Sequence, residues 1–146
     1  MRTYLDLCCL KRPFDDQSQP RIHLESEAVL ALLGASEEKL EVLRSAALEL
    51  ENDQNPLAQR AAKVRLWLEA LPATEILDAA LADRTKELMA FGFKNFDALH
   101  LASAEALSAD LLCTCDDRFL AAASRHASRL KVRVLNPIDL VREVLG

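Results

Sequence analysis

The chain has 146 residues, half of them hydrophobic, with three glycines and a net charge of −5. This length and composition fit one domain over residues 1–146, able to bury a core without staples, and exclude a disordered chain. The acidic balance disfavours a protein that grips nucleic acid over a broad basic surface; it does not exclude a nuclease, whose acidic site would be offset by bound metal ions.

No apolar run approaches the length of a membrane span, and the first residues lack the charged, apolar, small-residue order of a signal peptide. A soluble, cytoplasmic protein without membrane contact is expected.

The pattern opens with a short apolar strand, TYLDL (3–7). KRPFDDQSQPR carries two prolines and polar residues and reads as a loop. An amphipathic helix follows through LESEAVLALLGAS, stopped by Gly34. LEVLR (40–44) reads as a second strand, with Ser45 placed to cap the next helix. Asn55-Pro56 breaks that helix, and Pro56 suits the first turn of LAQRAAKVRLWLEAL, which Pro72 ends. Trp67, with Leu66 and Leu68, belongs to a packing face of this helix.

ATEIL (73–77) reads as a short third strand. The helix DAALADRTKELMAFG stops at Gly92, and Asn95 is placed to cap FDALHLASAEALS. ADLLCTC is a strand, DDRFLAAASRH a helix, VRVLN a strand and PIDLVREVL a closing helix. Strands alternating with helices predict βαβ units: an α/β fold with a central parallel sheet covered on both faces.

In such a fold the helices start at the carboxyl edge of the sheet. Asp6 lies near the end of the first strand, and Asp116 just past the end of ADLLCTC. Asp97 is in the first turn of its helix, and Glu51 about two turns into the helix after LEVLR. All four are therefore expected at one edge, where open α/β sheets bind their ligands. Singly, each has a structural explanation: Asp116 as a helix cap, Asp97 at a helix dipole, Glu51 as a solvated residue. Asp6, within an apolar strand, needs a partner.

Carboxylates brought together repel by roughly 4 kcal/mol per pair at about 4 Å and an effective dielectric near 20. They respond by holding protons or recruiting a cation. Hard oxygen donors suit Mg²⁺ or Mn²⁺, ions that activate water and stabilise the leaving oxygen in phosphodiester hydrolysis.

Four cysteines form two close pairs, Cys8–Cys9 and Cys113–Cys115, without the C-x₂-C spacing of a zinc knuckle. If their strands are neighbours the pairs come close enough to bind metal or oxidise. The preferred reading is small buried hydrophobes in a reducing compartment.

YLDLCCLKRPFDD and FDALHLASAEALSADLLCTCDDRF resemble the PIN-domain ribonucleases, a family that includes the VapC-type toxins. The resemblance runs over nearly the whole chain. It implies a three-layer α/β/α sandwich, an acidic site for Mg²⁺ or Mn²⁺ and cleavage of RNA. For the toxin members it further implies a homodimer and a silencing antitoxin.

By this resemblance Asp6 matches the first-strand acid, Asp97 the acid opening D-A-L-H-L-A, and Asp116 the acid of Thr114-Cys115-Asp116. Glu49 and Glu51, two residues apart, cannot share a face, and the resemblance favours Glu51 as the helical acid, since its distance to Asn55-Pro56 looks like that of a related subgroup. These four are the expected catalytic and metal-holding residues. His100, one turn after Asp97, is read as a structural histidine, and Asp15, Asp16 and Asp117 as surface acids.

Toxin members often carry a hydroxyl and then Asn after the first acid, whereas Leu7-Cys8-Cys9 follows here. That departure and the net charge motivate the alternative reading, an inactive PIN-like module binding RNA or protein. A receiver or phosphatase domain ranks below both, since D-x-D-x-T is missing after the first strand and no Lys precedes Pro137 at the last strand.

Overall fold

The structure is a computed structural model that describes residues 1–35, 38–71 and 78–146. Four strands form one parallel sheet in the order β2-β1-β3-β4: β1 (Arg2–Leu5), β2 (Glu41–Leu43), β3 (Leu111–Cys113) and β4 (Arg133–Leu135). The central strands β1 and β3 are buried because both faces are covered: Tyr4, Leu5, Leu111, Leu112 and Cys113 are buried, and so is the polar Thr3. Edge strands β2 and β4 are only partly so. The register pairs Leu5 with Cys113, which fixes the ends of β1 and β3 side by side.

Helices flank the sheet in the expected α/β/α arrangement. They are α1 (Leu7–Lys11), α2 (Pro20–Leu33), α3 (Ala46–Asp53), α4 (Ala58–Glu69), α5 (Ala79–Ala90), α6 (Asn95–Ala106), α7 (Asp117–Arg125) and α8 (Pro137–Val144). Helix α6 is a core element: Ala98, Leu101, Ala102 and Ala104 are buried, and its small residues let α5 pack closely along it. Gly92, at φ +111°, makes the reversal between those two helices, a conformation that penalises a side chain.

Several local expectations need correction. The first strand stops at Leu5, because the Asp6 carboxylate accepts the Leu7 amide and caps α1. KRPFDDQSQPR is only partly a loop: its start completes α1 and forms a 3₁₀ turn over Arg12–Phe14, and α2 begins at Pro20, where proline suits a first turn. Pro56 precedes α4 and does not open it; Leu57 is the flanking residue. Lys94, not Asn95, is the N-cap of α6, and Asn95 is its first helical residue. Ser45 does cap α3, accepting the Leu48 amide.

The segment ATEIL and Pro72 lie outside the described residues. Trp67 packs on Phe14 at 5.2 Å between ring centres, and Leu68 is buried, but Leu66 is exposed and does not share that face. Among the described residues no helix is long and apolar enough to cross a membrane.

Candidate metal centre

At the carboxyl edge of the sheet, Asp6, Glu51, Asp97 and Asp116 line one open cleft of about 340 Å³, together with Lys11, Asn55 and Phe96. Each acid arrives there for a local reason. Asp6 follows the last residue of β1, Glu51 lies on the second turn of α3, Asp97 in the first turn of α6, and Asp116 caps α7.

Asp6 is almost fully buried and is held from three sides. The Leu7 amide donates to Oδ1 at 2.7 Å, and the Thr114 hydroxyl donates to Oδ2 at 2.9 Å. The Cys8 thiol donates to Oδ2 as well, at 3.3 Å. The hydroxyl missing after the first acid in sequence is thus supplied from the end of β3, with a thiol from α1 beside it.

Burial first, then Cys8 and the Glu51 carboxylate, push the Asp6 carboxyl up to about 8, against the opposing pull of His100 and the Thr114 bond. Asp97 is pushed up to about 6, by burial first and then by Asp6 and Asp116. Without a cation, this cleft holds protons near neutrality.

Glu51 is oriented by a buried relay. Its Oε1 lies 3.0 Å from His100 Nε2, and His100 Nδ1 shares a hydrogen bond of 2.7 Å with the Tyr4 hydroxyl. The Tyr4 hydroxyl meets Ser45 Oγ at 2.5 Å. His100 Nε2 is also 3.6 Å from Asp6 Oδ1. Burial opposes a charge on His100, yet its bond to Glu51 and the fields of Asp6, Glu51 and Asp97 raise it above the usual histidine range. The expected structural histidine therefore also sits directly behind the acids, bonded to Glu51.

Glu49 points elsewhere: Arg44 donates to it from Nε at 2.7 Å. Asp15 pairs with Arg12 and Arg60, Asp117 with Arg21, and the Asp16 carboxylate accepts from Ser18. None of these three lines the cleft. Asp116 reconciles its two readings: both capping amides, of Arg118 and Phe119, donate to Oδ1, and no donor among the described residues takes Oδ2.

Among the basic residues, Arg12, Arg21 and Arg133 are spent on ion pairs and Arg129 stacks on Phe91. Lys11 lines the acidic cleft, while Lys94, Arg118 and Arg125 border an adjoining hollow that shares Asp97. Lys94 and Arg118 escaped the sequence reading because each stands alone in the chain and only the fold brings them together.

Asp6, Glu51 and His100 offer ligand atoms within 4.8 Å of one another. The four carboxylates lining the cleft are hard oxygen donors, and a divalent cation would relieve the raised proton affinity of Asp6 and Asp97, so these residues fit Mg²⁺ or Mn²⁺.

The parallel α/β/α sandwich with acids converging at the carboxyl edge is a fold that several classes of protein share, and comparison narrows it. The PIN domain profile matches residues 21–125, and the chain belongs to the PIN-domain family, whose members are generally nucleases. The fold is similar to that of FitAcB from Neisseria gonorrhoeae, with 20% identity over 92% of this chain and 97% of that one, at a TM-score of 0.56. It is also similar to VapBC2 from Rickettsia felis bound to a DNA fragment from their promoter, with 16% identity, 93% and 98% coverage and a TM-score of 0.53. No curated protein matches.

Proposed function

We propose that the chain is a Mg²⁺- or Mn²⁺-dependent endoribonuclease hydrolysing RNA phosphodiesters. The observation that carries this is the convergence of Asp6, Glu51, Asp97 and Asp116 on one cleft, with the carboxyls of Asp6 and Asp97 driven upward. Those four residues would hold the metal, which when bound supplies charge for the developing phosphorane and a more acidic water.

The protein's own groups do the rest. Thr114 and the Leu7 amide fix Asp6, and the relay through His100 and Tyr4 fixes Glu51, so neither has to reorganise during reaction. Lys11, Lys94, Arg118 and Arg125 are placed to attract phosphates on either side of Asp97. Binding would be local to the cleft, in keeping with the net charge of −5.

Membership of the PIN-domain family, together with the likeness to FitAcB and VapBC2, supports a toxin-type role with an antitoxin protein as partner, and a homodimer. The reading is tested by incubating the protein with total RNA and Mn²⁺. Cleavage that chelation stops and that Asp97→Asn loses is expected. Equal cleavage by a folded Asp97→Asn variant would overturn it and leave the binding-module alternative.

A further inference from the structure

Behind the acids, the fold gathers all four cysteines. The register that pairs Leu5 with Cys113 sets the start of α1 against the end of β3, so Cys8-Cys9 meets Cys113-x-Cys115. Cys9 Sγ lies 3.7 Å from Cys115 Sγ and 3.8 Å from Cys113 Sγ. The sulfurs of Cys8, Cys9 and Cys115 all fall within 4.8 Å of one another. All four thiols are free.

A Zn–S bond of ~2.3 Å in a tetrahedron places its sulfurs ~3.8 Å apart, as Cys9 and Cys115 already lie, with Cys8 within 4.8 Å of both. We propose that Cys8, Cys9 and Cys115 form a thiolate site for one thiophilic divalent ion of the Zn²⁺ type, which adjoins the carboxylate cleft at Cys8 but is distinct in its donors and independent of the nuclease reading.

Three further observations support it. Soft sulfur donors select such an ion while the hard oxygens of the neighbouring cleft do not, so the two sites would sort metals by chemistry. Three thiolates and a divalent ion leave one negative charge, and the Arg12 guanidinium interacts directly with Cys115. Arg12 also faces Glu25 and Asp15, so it offsets that charge in part. Access exists through Cys8, which is half-buried and lines the acidic cleft, whereas Cys9 and Cys115 are buried behind it. Each thiol that ligates gives its proton to solvent, so binding releases protons and strengthens as pH rises. Cys113, one sulfur contact from Cys9, is at hand as a fourth donor.

The test is a Co²⁺ titration of the reduced protein followed by absorption. Expected are sulfur-to-cobalt charge-transfer bands in the near ultraviolet that saturate at one ion per chain and vanish when Zn²⁺ is added. Asp97→Asn should keep these bands, and a Cys9→Ser, Cys115→Ser double variant should lose them. Should the double variant fail to fold, Cys8→Ser, at the half-buried position, should weaken the bands in a protein of unchanged circular dichroism. Cobalt binding by wild type without sulfur bands, no binding at all, or bands that survive both cysteine replacements would overturn the proposal and leave the thiols as packing groups. Loss of the bands in Asp97→Asn would likewise overturn it, by showing one site in place of two.

Discussion

Glu51 Oε1 and His100 Nε2 lie 3.0 Å apart, joining an acid of the cleft to a fully buried imidazole. The contact aims a side chain from the second turn of α3 at the acids of β1 and α6, and Tyr4 holds the imidazole from its other side. Partners of this kind behind metal-holding residues generally cost about 10–100-fold in metal affinity when removed. His100→Gln is therefore expected to weaken Mn²⁺ binding by about that factor while leaving the circular dichroism unchanged. Calorimetric titration checks it, and unaltered affinity would reduce His100 to packing alone.

Stability of the metal-free protein should fall as pH rises through the neutral range. The Asp6 carboxyl goes from 3.8 to about 8 on folding, and Asp97 from 3.8 to about 6. Between those values the folded state binds more protons than the unfolded one, so the contribution present below pH ~4 is lost on the way to pH ~8. Urea unfolding in chelator, measured across that window, is expected to show the decline. Asp97→Asn should flatten its lower part, below pH ~6.

Divalent metal should reverse the trend. Mn²⁺ competes with protons at Asp6 and Asp97, so its stabilising effect should be small at pH ~5 and grow through pH ~8. Thermal unfolding with and without Mn²⁺ reads this directly. A shift in melting temperature independent of pH would place the metal away from these carboxyls.

Glu25 supplies a structural contrast. Its carboxylate is buried in α2, 3.4 Å from Arg12 Nε, and accepts from Asn136 Nδ2 at 2.6 Å, tying α2 to the N-terminus of α8. Removing one partner of a buried pair typically costs about 3–5 kcal/mol. Glu25→Ala should lose stability of that order in urea, with Mn²⁺ affinity retained wherever the protein is folded.

Strands, helix order and the four cleft acids were legible because apolar periodicity and βα alternation survive in a single chain. Asp6, Asp97 and Asp116 each sit at an element end, where pattern and topology together predict position. Helical geometry put Glu51 and Glu49 on different faces, the resemblance through the spacing to Asn55-Pro56 favoured Glu51, and Arg44 pairs with Glu49 in the structure.

What escaped was whatever depends on distant partners. Thr114 completes Asp6 from 108 residues away, and no local pattern announces that. Glu25 reads as an ordinary helix glutamate until Arg12 and Asn136 are seen around it. The cap of α6 was missed because Lys94 is an unusual residue for the position, held there by the Gly92 turn and not by its own side chain. The cysteine pairs were seen, but their meeting rests on strand register, which the sequence leaves open.

The most direct test of the acidic cleft is a calorimetric titration of Mn²⁺ into the wild-type protein beside Asp97→Asn, a residue with no side-chain hydrogen bond to lose among the described residues. Saturable binding by wild type, abolished or reduced by at least about tenfold in a folded Asp97→Asn, is the predicted result. Absence of binding by folded wild type, or equal binding by the variant, would contradict the account.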